Sequence, residues 1–234
     1  MVRRVPEVVE QSATQGNAQA PLVMSYLLMR LIIGVLAVLL PFVLILVNWA
    51  IGHGFQPSVS GYYYTPMRNI YIGTLCAIGV FLISYYGYDL ADRLITDFAG
   101  LFTILATLFP TTPGYQPAAH QVVVGDFHLG FASATFVLLA VMAFRFAKRE
   151  PTPPGLTRWQ RVRYAFGFTG PGDSTRPLWA TVLYRVTGCL IIGCIILAWP
   201  LSAVTYSLLV LETIVLVSFG LAWFVKGRKI LSGG

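Results

Sequence analysis

LITDFAGLFTILATLFP, residues 94 to 110, decides the fold of this 234-residue chain. The stretch is apolar along most of its length, carries Asp97 near its start and stops at Pro110. A bilayer core about 30 Å thick takes about 20 apolar residues of helix, because lipid offers the backbone no hydrogen bonds. At this length the stretch reads either as a short crossing or as a re-entrant segment. The two readings put everything that follows on opposite sides of the membrane.

Working outward, the chain is 56% hydrophobic and 11% charged, against about a quarter charged in soluble proteins. Five other apolar runs, at 31–51, 69–86, 128–146, 180–199 and 203–225, read as crossings. If residues 94–109 also cross and the N-terminus is inside, 15 of the 16 Lys and Arg residues face the cytoplasm and only Arg68 lies outside. Short cytoplasmic connections collect basic residues. Removing the third crossing would split that set, so six crossings are expected. The fold class is therefore all-α, an integral membrane bundle of six transmembrane helices with both termini cytoplasmic. Residues 1–24 are expected as a disordered polar tail, 25–230 as one transmembrane domain and 147–179 as a basic cytoplasmic loop. Within that loop LTRWQRVRYAFGF, 156–168, interleaves arginines with aromatic residues. It reads as an interfacial helix or as an ordinary basic loop with aromatic anchors.

The same composition limits partners. The basic residues punctuate apolar runs instead of forming one solvated surface, so nucleic acid is not expected and membrane lipids are. Other membrane subunits or a second copy are the remaining partners to consider. Cys76, Cys189 and Cys194 lie in apolar runs and form no disulfide or zinc pattern; their redox state is open. No glycine-rich phosphate loop, HExxH, CxxC or nucleophile elbow occurs. Neither a cofactor nor a metal is expected, although His53, His120, His128 and Asp126 are the residues a zinc site would have to use.

Several packing expectations follow from spacing. Asn69, Gly73, Cys76, Val80, Ser84 and Gly87 fall on one helical stripe and read as a seam of small residues. Pro41 is expected to kink the first helix, while Arg30 and Arg185 open helices where snorkelling is easy. Tyr62, Tyr63, Tyr64 and Trp49 are expected in an outer aromatic belt and Trp179 and Trp223 in an inner one. Asp89, Arg93 and Asp97, spaced four apart, suggest a salt-bridge ladder.

Charges held within a membrane are costly and mark candidate sites. Glu212 is the tenth residue of the run 203–225, roughly 14 Å from its outer end. It reads as a proton carrier, as a cavity-lining ion pair, or as a structural hydrogen bond to a neighbouring helix. At the outer end Arg68, Asp126, His128 and the Tyr62–Tyr64 group are expected to converge on one pocket if the second and fourth helices meet. Arg68 there would grip a phosphate or carboxylate, with His128 and Asp126 the catalytic candidates. The alternative is an Arg68–Asp126 pair that only fixes helix ends.

Four stretches, YYYTPMRNIYIGTLCAIGVFL, AGLFTILATLFPT, YRVTGCLII and ETIVLVSFGLAWFVKG, together resemble a family of bacterial multi-pass proteins similar to the DUF998 and Frag1/DRAM/Sfk1 group. The resemblance implies six helices in a bacterial inner (plasma) membrane and a tie to lipid remodelling or membrane organisation. It highlights Ser60, Tyr63, Arg68, Phe109–Thr111, His128, Arg185 and Glu212. Where the pattern has Arg-Asp, this chain has Arg68-Asn69. Comparison with ceramidase-type zinc hydrolases fails on the missing HxxxH and the helix count. Three functions are carried forward: a non-catalytic protein that binds or organises lipid or serves as an assembly subunit, a small proton-coupled transporter or channel centred on Glu212, and a headgroup hydrolase or transferase at Arg68 and His128.

Overall fold

The computed structural model describes residues 7–150, 157, 159–160 and 179–231, with side chains at 28–150, 157, 159–160 and 179–227. Most of the basic loop, including Arg158, Arg161, Arg163 and Arg176, lies outside the described residues. Six helices and no strand are present among them: α1 (Glu7–Ala50), α2 (Arg68–Ile83), α3 (Leu90–Leu108), α4 (Ala119–Lys148), α5 (Trp179–Ala198) and α6 (Ser207–Leu231). Four segments are long and apolar enough to cross a membrane: Leu28–Ala50, α4, α5 and Ser207–Gly227. The 16 residues of α2 span about 24 Å at 1.5 Å per residue. The 19 residues of α3 include Asp92, Arg93 and Asp97.

Helix α1 begins at Glu7 and so takes in most of the stretch expected as a disordered tail. Glu, Gln and Ala recur there. These are good helix formers, and extending an existing helix costs far less than nucleating one. The helix also runs on through Pro41 to Ala50.

The helices form a closed ring in chain order: α1 packs on α2, α2 on α3, α3 on α4, α4 on α5, α5 on α6 and α6 on α1. The ring has two ends, and α1 extends beyond one of them. At one end Arg30, Tyr85, Asp89, Arg145, Glu150 and Lys226 meet. At the other, the α1–α2 loop reaches both the α3–α4 turn, through Tyr64 Oη donating to Thr111 O at 2.7 Å, and the start of α6, where Leu209 N donates to Pro57 O at 2.9 Å.

Two glycine crossings bring neighbouring helices together. A Cβ on Gly34 would lie 2.7 Å from Gly220 O, and one on Gly220 equally close to Gly34 O. Gly79 and Gly100 face each other in the same way on α2 and α3. The expected small-residue seam on α2 is thereby corrected except at Gly87, just past the helix, where a Cβ would clash with Asp92 and lie 2.8 Å from Arg93 N. Asn69, Gly73, Val80 and Ser84 face outward, and a Cβ on Gly73 would meet nothing within 4 Å. The buried face holds Tyr71, Ile78, Gly79 and Leu82 instead, one residue round the helix, because large apolar side chains fill the interface and a single glycine is enough to let the backbones approach.

Two further expectations change. Arg30 does not snorkel; it is buried, and its Nη2 donates to Tyr85 Oη at 2.5 Å. The reason is that α1 continues past it, so it stands within the helix, not at its end. Trp223 and Tyr62 are core residues rather than belt residues. Trp223 packs on Tyr85, Phe146 and Phe219 with ring centroids 5.0–5.4 Å apart. Trp49 and Trp179 are exposed, as a belt requires.

Candidate functional site

The α1–α2 loop folds back into the ring instead of lying over it. Its core is the 3-10 turn Ser60–Tyr64, in which Ser60, Gly61 and Tyr62 are buried. A buried loop must satisfy its own polar backbone, and this one does so with short-range hydroxyls. Ser58 Oγ accepts from Gly61 N at 2.9 Å and lies 3.0 Å from Ser60 Oγ, while Thr65 Oγ1 donates to Tyr62 O at 2.8 Å. The remaining donor of the turn is spent on α6. Ser60 N donates to Glu212 Oε2 at 3.1 Å, with the Ser60 hydroxyl 3.5 Å from Oε1.

Helix α6 starts at Ser207, not at 203, because Leu201–Tyr206 form turns. Glu212 is therefore its sixth residue, about 8 Å along the helix, shallower than the apolar run suggested. Leu216 follows one turn below on the same face. On α4 the buried His128 donates from Nδ1 to two carbonyls, Ala106 O at 2.7 Å and Phe109 O at 2.9 Å. Both acceptors belong to the end of α3, whose last carbonyls have no partner within the helix. Since both partners are carbonyl oxygens, Nδ1 carries the hydrogen, and Nε2 is the acceptor of the neutral ring.

Ser60, His128 and Glu212 line one cavity of about 60 Å³ inside the ring, with Tyr71 and Leu75 from α2, Thr103 and Ala106 from α3, and Ala132, Thr135 and Phe136 from α4. Thr135 Oγ1 is buried there and has no hydrogen-bond partner. The set offers acceptors in the Glu212 carboxyl and the imidazole, and hydroxyls on Tyr71 and Thr135 that can accept or donate. A guest that donates hydrogen bonds or carries positive charge suits them. Small-molecule sites run to about 300–1,000 Å³, so the volume fits a proton, water or a small cation, not a lipid headgroup.

The remaining sequence candidates lie elsewhere. Arg68 is at the surface, its Nη2 2.5 Å from Tyr63 Oη and its guanidinium carbon 4.3 Å from the centre of that ring. No ion pair joins it to Asp126. Asp126 is exposed on the outward side of α4, because His128, two residues on, turns inward and two helical steps rotate the side chains far apart. The expected convergence is thus corrected: His128 meets Ser60 and Glu212, while Arg68–Tyr63 and Asp126 are separate surface features. His53 and His120 are exposed and do not join His128.

Sequence reading passed over Tyr71, Thr103 and Thr135. Helical spacing carried part of the signal, since Thr135 lies seven residues after His128 and so returns to its face. It passed over Asp92 and Glu150 as well. Asp89 caps α3 by accepting from Asp92 N at 2.8 Å, and this bond, followed by the Arg149 and Arg145 guanidiniums, holds its carboxyl below the usual range. Fully buried Asp92 bonds Arg145 and lies 2.8 Å from Arg149. Of the expected ladder, the Arg93–Asp97 step is present at 3.7 Å, while Asp89 pairs across to α4. Buried Lys226 and Glu150 pair at 3.1 Å, with Lys226 Nζ also about equidistant, at 5.5–5.6 Å, from the Tyr88, Phe146 and Tyr184 rings.

Comparison with family models, curated proteins and solved structures finds no match to this chain. The residues themselves therefore carry the functional reading.

Proposed function

We propose that this chain is a six-crossing membrane protein with both termini in the cytoplasm, and that it moves or senses protons through Glu212. What carries the reading is that a carboxyl group on α6 and an imidazole and an unpartnered hydroxyl on α4 line one small cavity among the apolar helices. An acid inside a membrane bundle is a functional candidate by default, and this one is held by the Ser60 N–H and hydroxyl, with no ion pair among the described residues to fix it permanently as an ion. Six crossings are supported by the way α2 and α3 run between the same two ends as the four longer helices, with the basic side chains gathered at one of them.

The geometry gives less support to headgroup chemistry, which needs Arg68 and His128 in one cavity. The lipid-binding reading is favoured by a feature outside the cavity, the groove on α4 described below.

The test is proton movement in sealed vesicles containing the purified protein and an internal pH-sensitive dye, under an imposed potassium diffusion potential. Wild type is expected to acidify or alkalinise the lumen with the sign of the potential. Glu212→Gln, which keeps an acceptor for Ser60 N, is expected to reduce the rate by about tenfold or more, as loss of a group essential to proton transfer does. Equal rates in wild type, Glu212→Gln and protein-free vesicles would end this reading.

A further inference from the structure

On the outward side of α4, Val123, Asp126, Phe127, Gly130 and Phe131 line a shallow groove of about 320 Å³. Their spacing of i, i+3, i+4, i+7 and i+8 makes a single stripe about 12 Å long at 1.5 Å per residue. Its floor is open because residue 130 lacks a side chain, and a Cβ there would meet nothing within 4 Å. Its aromatic walls are braced from behind. Phe131 packs on Phe102 and Phe109 of the α3 side at centroid distances of 5.9 and 5.6 Å, and Phe127 packs on Phe109 at 5.6 Å.

Asp126 is the anomaly in this surface. It stands where the apolar part of α4 begins, exposed, and among the described residues no cation pairs with it. The groove itself is almost wholly apolar, and the exposed Asp126 stands among its lining residues as their one charged group. We propose that the groove is a binding site for a phospholipid whose headgroup carries a primary ammonium. The ammonium donates to the Asp126 carboxylate, and one acyl chain lies over Gly130 between Phe127 and Phe131. A primary ammonium brings both N–H donors and the positive charge that complements a carboxylate; a quaternary ammonium has no N–H to donate, and a glycerol headgroup offers only neutral hydroxyls beside an anionic phosphate. The proposal rests on the chain being embedded in a membrane, and not on the Glu212 cavity.

The test is lipid retention on the full chain, extracted from nanodiscs containing equal parts of phosphatidylethanolamine, phosphatidylcholine and phosphatidylglycerol and weighed by native mass spectrometry. Wild type is expected to retain phosphatidylethanolamine preferentially. Asp126→Asn is expected to lower that preference by about tenfold, the effect of losing one charge-assisted hydrogen bond. Gly130→Leu, whose Cβ would meet nothing within 4 Å and whose side chain would occupy the groove, is expected to abolish retention of all three lipids at this site while leaving thermal unfolding unchanged. Glu212→Gln is expected to leave retention as in wild type, which separates failure here from failure of the cavity reading. Equal retention of the three lipids by wild type, or an undiminished preference in Asp126→Asn, would overturn the proposal.

Discussion

At the residue scale the chain separates its charges by task. Glu212 faces a cavity with weak partners, whereas Lys226 and Glu150 are buried against each other at 3.1 Å. Both members of that pair are almost wholly removed from solvent, so each depends on the other for the hydration it has lost. Removing one partner of a buried pair costs about 3–5 kcal/mol, while replacing both with apolar residues is often neutral. Lys226→Met is therefore expected to lower unfolding stability by about that amount, and Lys226→Met with Glu150→Leu to recover most of it. Thermal unfolding of wild type, the two single variants Lys226→Met and Glu150→Leu, and the double variant in one detergent measures the difference. Additive losses in the double variant would contradict the pairing. At this scale sequence revealed Glu212 and His128, because a charge or an imidazole in an apolar run is conspicuous. It did not reveal Asp92, Glu150 or Lys226, since basic and acidic residues at run ends look like ordinary loop charges until the fold buries them.

At the scale of elements, close approach depends on glycines at two crossings, and their neighbours on the same helix do not substitute for them. Gly79 and Gly73 lie on one helix and differ in surroundings. A Cβ at 79 would come within 2.8 Å of Gly100 O, and one at 73 would touch nothing within 4 Å. Gly79→Val is expected to destabilise by about 1–3 kcal/mol through overpacking. Gly73→Ala is expected to stabilise by about 0.4–1 kcal/mol by restricting the unfolded chain. Unfolding midpoints of the two variants, compared with wild type, check both signs; equal effects would mean that the two helices do not meet at Gly79. Spacing alone placed the seam one residue away. A stripe of small residues marks where a helix can approach a neighbour, but the large buried Tyr71, Ile78 and Leu82 decide which side has one. The loop before α2 was illegible for another reason: its burial rests on hydroxyls that satisfy the backbone locally, and such hydroxyls also occur in exposed turns.

At the scale of the whole molecule, the helix positions were legible because apolar length is a direct consequence of the solvent. Expected runs and observed helices agree closely at most ends. Ring closure was not legible, since periodicity within a helix says nothing about which helices are neighbours. The central claim is that α3, short and charged as it is, spans the membrane with the other five helices and so encloses the Glu212 cavity. The most direct measurement is cysteine labelling of intact cells, with Cys76, Cys189 and Cys194 first replaced by alanine. Leu90→Cys and Tyr115→Cys place exposed thiols at the opposite ends of α3. An impermeant maleimide is expected to label position 115 in intact cells and position 90 only after permeabilisation. Labelling of both positions from the same side would contradict the account.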